Sequence, residues 1–191
     1  MRKLSVKRIV FISLMAVLIT ICSYITIPSA VPFTMQTFGV FLCVALIGGN
    51  DGLMAIIIYI ILGAIGVPVF SNFQGGIGHL LGPTGGYIVG FIAIGIIYLV
   101  TELLFKNVEG KKKIIIEIIS LVIGLFVCYI LGTLWFYIST KGEGYSFWKI
   151  MMLCVIPYII PDLIKLALAI IISTKLKKII FKEEIDYEQN E

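Results

Sequence analysis

Residues 75–87 read GGIGHLLGPTGGY, and this glycine-rich stretch decides the fold of the chain. Its six glycines and one proline disfavour a regular helix, because glycine weakens helices and proline interrupts their hydrogen bonds. The stretch holds no Asp, Glu, Lys or Arg, and it lies between two long apolar runs that are typical of membrane helices. Irregular backbone at membrane depth is tolerated only where protein buries it or where it lines a cavity. We therefore predict that this loop forms one wall of a small-molecule site, with a flexible connector as the alternative.

The composition excludes an ordinary soluble domain. The 191 residues are 60% hydrophobic and 14% charged, with a mean hydropathy of +1.09, whereas soluble domains carry about 25% charged residues. The net charge of +4 does not indicate nucleic-acid binding, because the basic residues stand at the ends of apolar runs. Four cysteines without a CxxC pair predict neither a metal site nor a disulfide framework.

The apolar runs predict an all-α membrane protein with six transmembrane helices in a single domain, residues 1–191. The expected spans are residues 9–27, 33–47, 53–65, 87–105, 114–138 and 160–178, followed by an acidic tail at 182–191. Residues 48–52 are expected to form a tight turn in which Asn50 or Asp51 caps the next helix. Pro157 and Pro161 are expected to break the chain ahead of the last span.

Basic residues predict the orientation of the chain. Four Lys or Arg precede the first span, four lie between the fourth and fifth, and four lie at or beyond the end of the sixth, namely Lys175, Lys177, Lys178 and Lys182. Since Lys and Arg concentrate on the cytoplasmic side, six spans place both termini in the cytoplasm and the glycine-rich loop outside. Three segments then face outward: residues 28–34, 67–86 and 139–161. They hold all six prolines, so an outward-facing site is expected.

Asp162 and Lys165 are the oppositely charged pair expected near membrane depth, and their spacing places them on one helical face. Such residues are functional candidates by default, although they can also neutralise each other and merely fix a helix. Together they offer an acceptor and a donor, which suits the N–H and C=O groups of a cyclic urea or amide. Neutral polar residues expected on the same side are Thr34, Gln36, Asn72, Gln74 and Tyr87.

His79 is the only histidine in the chain. Without a second histidine or a nearby carboxylate in the sequence, it specifies neither a metal site nor a catalytic arrangement, and a structural role is favoured. An intramembrane enzyme would need a second acid or nucleophile facing Asp162, and the outward side offers only Glu143 and His79. The chain also lacks the GxxxxGK[ST] pattern of ATP hydrolysis. We therefore expect neither an enzyme nor a cofactor, and if the chain pumps a substrate uphill, the energy must come from elsewhere.

Several segments together resemble the BioY family, the biotin-specific substrate-binding (S) components of energy-coupling factor (ECF) transporters. They are Gly75-Gly76, the run GPTGGY at 82–87, the segment Pro28…Pro32…Gln36, and Pro157 followed by DLIK at 162–165. The resemblance extends over roughly residues 7–178. It implies six helices in a bacterial cell membrane, an outward pocket for biotin, and two kinds of partner, a transmembrane coupling protein and ABC-type ATPases. The alternative is a self-sufficient or proton-coupled vitamin transporter that uses Asp162 as its proton-carrying group.

The resemblance also implies roles for individual residues. Asp162 and Lys165 would hold the ureido ring of biotin with help from Gln74. The full expected substrate-binding set is Asp162, Lys165, Gln74, Tyr87, Gln36, Gly75, Gly76, Thr84 and Gly85. Ala16 and Thr20 lie where the family carries an alanine-xxx-alanine motif that docks the coupling protein, and Thr20 departs from that motif. Ile88 stands where some members carry arginine, which leaves the partner of the biotin carboxylate open.

Overall fold

The computed structural model describes residues 5–27, 32–140, 144 and 146–180 as a mostly helical fold. The predicted acidic tail at 182–191, together with Pro28 and Glu143, lies outside the described residues. A 3-10 turn covers Ser71–Phe73. The elements in chain order are α1 (Val6–Tyr24), β1 (Thr26–Ile27), β2 (Phe33–Thr34), α2 (Gln36–Ile47), α3 (Gly49–Ala64), α4 (Ile77–Leu81), α5 (Gly85–Leu104), α6 (Gly110–Ser139), α7 (Phe147–Cys154) and α8 (Ile156–Ile180).

The helices are apolar on their outer faces as well as in their core. Four described stretches are long and apolar enough to cross a membrane: Val6–Tyr24, Gly85–Leu104, Gly110–Ser139 and Phe147–Ile180, which joins α7 to α8. The helices α2 and α3 are also apolar but shorter, with 12 and 16 residues. Leu14, Val17 and Ile21 on the outside of α1 are each more than half exposed. A helix of a soluble protein would present polar residues there, so this surface suits contact with lipid.

Close approach of α5 and α6 forms the most extensive helix pair of the fold. A Cβ atom at Gly90 would lie 2.7 Å from the Cys128 sulfur, and one at Gly86 would overlap Trp135. Small residues at such crossings let two backbones come together, which is a common basis of helix association in membranes. On the other flank, α2 packs against α8, and α3 packs against α1 and α5.

The third helix begins earlier than the sequence analysis predicts. It starts at Gly49 rather than residue 53, because the Glu102 carboxylate of α5 accepts the Gly49 N–H at 2.7 Å. The expected five-residue turn is therefore wrong, and Gly48 alone joins α2 to α3 with a φ of 84°. Asp51, an expected cap, forms a two-pronged ion pair with Arg8 of α1. A cap from a residue 53 positions away cannot be recognised in local sequence.

The last helix also departs from the prediction. It begins at Ile156 rather than residue 160, and the expected break at Pro161 is wrong because this residue lies inside α8. Pro157 occupies the first turn, where the missing N–H removes no helical hydrogen bond. The interruption falls instead at Val155, whose φ of −125° and ψ of −58° separate α7 from α8. Among the other predicted spans, α5 starts at Gly85 rather than residue 87, and α6 extends over Gly110–Ser139.

The glycine-rich loop is more ordered than expected. Its residues Ile77–Leu81 form the short helix α4, so the prediction of wholly irregular backbone is wrong. The loop is tied to the bundle by its backbone, with the Gly76 N–H donating to the Gly63 carbonyl at 2.7 Å and the Tyr24 hydroxyl to the Pro68 carbonyl at 2.7 Å. Gly76 has a φ of 93°, a conformation that side chains disfavour.

The α5–α6 contact predicts the effect of two matched glycine substitutions. Gly90→Ala should destabilise the protein by about 1 to 3 kcal/mol, because the new methyl group overpacks against Cys128. Gly78→Ala in α4 is the control, since a Cβ there meets nothing within 4 Å and gains the same helix propensity. Unfolding midpoints in detergent measure both, and equal midpoints would contradict the packing argument.

Candidate functional site

A cavity of about 70 Å³ lies where the N-terminal ends of α2, α5 and α8 meet the loop and the second half of α6. We call it the ligand cavity. Charged and polar side chains on one wall include Asp162, Lys165 and Gln36, while Phe91 and Leu125 are among the apolar lining. A few convergent polar groups on apolar walls are the usual form of a small-molecule site.

The centre of the polar wall is the ion pair between Asp162 and Lys165, one turn apart on α8. The Lys165 Nζ lies 2.7 Å from Asp162 Oδ1. Asp162 is only 3% exposed and Lys165 only 5%. The same Nζ donates to the Thr34 carbonyl at 2.7 Å and to Thr37 Oγ1 at 3.3 Å. It also stands 4.1 Å from the centroid of the Phe33 ring. The ammonium group is thus surrounded by acceptors and an aromatic face, which offsets the cost of its desolvation.

The carboxylate of Asp162 is equally well satisfied. Thr37 Oγ1 donates to its Oδ1 at 2.8 Å, and the Tyr129 hydroxyl of α6 donates to its Oδ2 at 2.6 Å. Hydrogen bonds to an ionised group are among the stronger ones in proteins. Residues of β2, α2, α6 and α8 therefore converge on one pair of charges.

Gln36 links the cavity wall to the loop. It is 5% exposed, and its amide donates to the hydroxyl of Tyr59 on α3. That hydroxyl donates to the Val69 carbonyl at 3.2 Å, and Ser23 Oγ of α1 donates to the same carbonyl at 2.7 Å. The chain of contacts runs from the cavity through α3 to the base of the loop, and on to α1.

The histidine of α4 also faces the ligand cavity. His79 lines it, its ring stacks on Phe70 with centroids 5.3 Å apart, and its buried Nε2 has no hydrogen-bond partner among the described residues. Burial lowers the pKa of this imidazole below its ordinary value, so the neutral form is favoured. A buried polar atom without a partner is costly, which marks Nε2 as a group available to a ligand.

The structure brings together some of the predicted site residues and leaves others outside. Asp162, Lys165, Gln36, Tyr87 and Thr84 all line the ligand cavity. The hydroxyl of Tyr87, which is 9% exposed, shares a hydrogen bond of 3.3 Å with Thr133 of α6.

Four other residues of the expected set do not line this cavity: Gln74, Gly75, Gly76 and Gly85. The Gln74 side chain is exposed, and its backbone forms a bridge to Phe70. Gly75 packs on the carbonyl of Val67 and Gly85 on that of Leu80, so both serve the packing of the loop.

The expected docking pair also faces inward. Ala16 is 4% exposed within the core, and the hydroxyl of the half-buried Thr20 donates to the Ala16 carbonyl at 3.0 Å. The face that carries them is covered by the chain's own helices, whereas Leu14 and Val17 on the opposite face are exposed. This placement does not support a docking role for Ala16.

Three contributors to the site carry no sequence signal of their own. Thr37 lies one residue beyond the predicted Gln36 and was not singled out. Tyr129 is one of nine tyrosines, and only the packing of α6 against α8 brings it to Asp162. The sequence favours a structural role for His79, because the unpartnered Nε2 is visible only in three dimensions.

The ligand cavity is small in this conformation. Ligand sites generally measure about 300 to 1,000 Å³, several times the 70 Å³ here. A vitamin-sized molecule would therefore have to displace part of the wall. Among the described residues no three His, Cys, Asp or Glu side chains are placed to hold a metal ion.

A family model described as the BioY family matches residues 1–182. The chain belongs to the BioY family. This confirms the resemblance drawn from the glycine-rich run and the DLIK segment.

Relatives of the BioY family align over nearly the whole chain. The probable biotin transporter BioY of Pyrococcus horikoshii is 37% identical over 173 residues, which cover 90% of this chain and 96% of the relative. The biotin transporter BioY of Thermotoga maritima is 36% identical over 180 residues, with 91% and 97% covered. Membership in this transporter family and several apolar helices identify a multi-pass membrane protein.

A solved structure shows that the BioY fold is shared. The crystal structure of the S-component for biotin from an ECF-type ABC transporter matches with a TM-score of 0.76, covering 91% of this chain and 92% of that one, at 24% identity.

The buried ion pair predicts strong coupling between Asp162 and Lys165. Each of Asp162→Asn and Lys165→Met should destabilise the protein by about 3 to 5 kcal/mol, because one charge is left buried without its partner. The double variant should cost clearly less than the sum of the two, since neither charge is then stranded. Unfolding free energies in detergent for the four proteins provide the measurement, and additive losses would argue against direct pairing.

His79 predicts how stability depends on pH. Its pKa is lowered in the folded protein, so below about pH 6.5 the unfolded chain binds the proton more readily and folding loses free energy. The unfolding temperature should therefore fall between pH 7.5 and 5.5, and fall less in His79→Asn, which is polar but does not titrate there. Parallel slopes for the two proteins would show that His79 is not the responsible group.

Proposed function

We propose that this protein is the substrate-binding subunit that captures biotin from outside the cell for import by an ECF-type complex. The observation that carries the proposal is the Asp162–Lys165 pair in the wall of the ligand cavity. Membership in the BioY family and the similarity to biotin transporters support the same ligand. The pair was selected from sequence for its donor–acceptor chemistry, and the packing gives it a buried setting.

The chemistry of the pair matches the ureido ring of biotin. The ring presents N–H donors and a C=O acceptor, and Asp162 and Lys165 present the complementary acceptor and donor. In the structure the two side chains bond each other and Thr37. A ureido group that enters between them exchanges these bonds for equivalent ones to the ligand, so the charges stay satisfied.

The rest of the biotin molecule would contact a cavity wall that holds both apolar and polar side chains. Phe91 and Leu125 offer apolar contact to the thioether ring and the aliphatic chain. The unpartnered Nε2 of His79 supplies a further hydrogen-bonding group from α4. His79 therefore joins Gln36, Thr84 and Tyr87 as a proposed ligand contact.

Entry of biotin requires the loop to move, because the ligand cavity is smaller than such a ligand. The loop, residues 66–84, carries Ser71, His79 and Thr84 of the cavity wall. It is attached by hydrogen bonds to side chains of α1, α3 and α6 and to the Gly63 carbonyl, and by the buried side chains of Val69, Phe70 and Leu80, rather than by a long helix contact. Displacing it opens the cavity without unpacking α5 from α6.

The proposed topology has six membrane crossings. The four long apolar stretches supply four of them, and α2 and α3 supply the other two despite their shorter length. The basic clusters then place both termini in the cytoplasm and the ligand cavity on the outer side. The absence of a P-loop from the sequence assigns ATP hydrolysis to separate ABC-type subunits, joined through a membrane coupling protein.

A self-sufficient, proton-coupled carrier is less well supported. Both carboxylate oxygens of Asp162 are engaged, by Lys165, Thr37 and Tyr129. Such a carboxylate is held as a fixed acceptor rather than exposed to a water path.

Calorimetric titration of the purified protein tests the proposal. Biotin should bind tightly, while thiamine and riboflavin, which lack a cyclic urea with two N–H groups, should not. Asp162→Asn and Lys165→Met should each weaken biotin binding by about 100-fold or more, because a charge-assisted hydrogen bond is lost and its partner is left unpaired.

Gln74→Ala is the matched control, since the exposed side chain lies outside the ligand cavity. Its affinity should stay within about twofold of the parent, well under the loss of one hydrogen bond. Full affinity in the Asp162 and Lys165 variants, or equal binding of the three vitamins, would refute the assignment.

A further inference from the structure

A second, larger cavity lies at the opposite end of the bundle. It measures about 410 Å³ and is enclosed by the first turns of α1, α3 and α6 and the last turns of α2 and α5. We call it the basal cavity. Its volume falls within the range of about 300 to 1,000 Å³ that is typical of ligand sites, and it shares no lining residue with the ligand cavity.

The deep part of the basal cavity is rich in hydrogen-bond acceptors. Ser120 is 2% exposed, and its buried Oγ has no hydrogen-bond partner among the described residues. A serine inside a helix commonly bonds back to the carbonyl four residues earlier, but this hydroxyl does not. Because a buried polar atom without a partner is costly, Ser120 indicates a group that a ligand satisfies.

Two carboxylates accompany this serine. The Glu117 side chain is 13% exposed, and its Oε1 lies 3.4 Å from the Lys177 Nζ, a long contact for an ion pair. Glu102 uses Oε2 to accept the Gly49 N–H at 2.7 Å, and Oε1 accepts no further hydrogen bond from any residue described. Glu117 and Ser120 therefore offer acceptors in the less exposed part of the cavity, and the exposed Glu102 adds a second carboxylate.

The outer part of the basal cavity is positively charged. Lys106 and Lys113 line it, both are exposed, and neither forms an ion pair within the described ranges. Arg8 also lines it but is held by Asp51. Apart from that pair, two acidic and two basic residues line the cavity; Glu117 is half-buried, whereas Glu102 and both lysines are exposed.

We propose that the basal cavity binds the zwitterionic headgroup of a phosphatidylethanolamine-type lipid. The primary ammonium group has three donors, which match Glu102, Glu117 and Ser120. The phosphodiester then lies by Lys106 and Lys113, and Leu103 and Phe105 receive the first carbons of the lipid. A lining that is neutral overall and holds charges of both signs suits a zwitterion better than a simple anion or cation. The cavity also stands at the ends of apolar helices, where headgroups lie.

The test is thermal unfolding of the purified protein in detergent, titrated with short-chain lipids that share one acyl composition. Phosphatidylethanolamine should stabilise the protein saturably, with an apparent Kd about tenfold or more below those of phosphatidylcholine and phosphatidylglycerol. Phosphatidylcholine lacks ammonium N–H donors, and phosphatidylglycerol lacks the cation.

Three variants make the test specific. Ser120→Ala should weaken the phosphatidylethanolamine effect about fivefold, as expected for one hydrogen bond, and Glu117→Gln about tenfold or more. Ser120→Ala removes an unpartnered hydroxyl, so it should fold, and its biotin affinity should equal that of the parent. Lys175→Gln, an exposed lysine outside the basal cavity, should leave lipid binding unchanged.

Equal effects of the three lipids, or identical titrations of Ser120→Ala and Lys175→Gln, would overturn the proposal. Soluble phosphoethanolamine is the remaining arm. If it binds as tightly as the lipid, the site takes a free metabolite and the assignment to a membrane lipid is wrong.

Discussion

The buried pair of Asp162 and Lys165 is the constraint on which the structure around the ligand cavity depends. Two charges removed from water are stable only when every donor and acceptor around them is supplied. The Thr34 carbonyl, the Thr37 hydroxyl and the Tyr129 hydroxyl meet that need. These groups belong to β2, α2 and α6, so satisfying one ion pair on α8 fixes the relative positions of four elements.

Hydrogen bonds also link the polar wall of the ligand cavity to the loop. Gln36 stands on the cavity wall and holds Tyr59, and Tyr59 together with Ser23 holds the Val69 carbonyl. The base of the loop is thus fixed by the helices that carry the polar wall. A ligand that moves Gln36 loosens one of the two bonds to Val69, which couples occupancy of the cavity to the position of the loop.

Sequence reasoning reached the membrane class, the family and the central pair, because these rest on patterns that are local in the chain. Apolar runs report span length, and Asp162 and Lys165 are visible as charges inside such a run. The failures have a common cause in contacts between distant residues. Glu102 extends α3 to Gly49, Val155 rather than Pro161 interrupts the last helices, and Tyr129 reaches Asp162 across the bundle. Gln74 is the opposite case, since its position next to the glycine run suggests the site, while its side chain is exposed outside the ligand cavity.

The two ends of the bundle are held in different ways, and this difference bears on where motion can occur. At the basal end, the Arg8–Asp51 pair joins α1 to α3, Glu102 caps α3 from α5, and Lys177 of α8 reaches Glu117 of α6. Every long helix except α2 is therefore tied there by a charged side chain. At the other end the cavity is closed by a loop held by neutral hydrogen bonds and by the buried side chains of Val69, Phe70 and Leu80. Because neutral hydrogen bonds contribute only about 1 kcal/mol each, a ligand that replaces them can displace the loop while the basal contacts keep the helices in place.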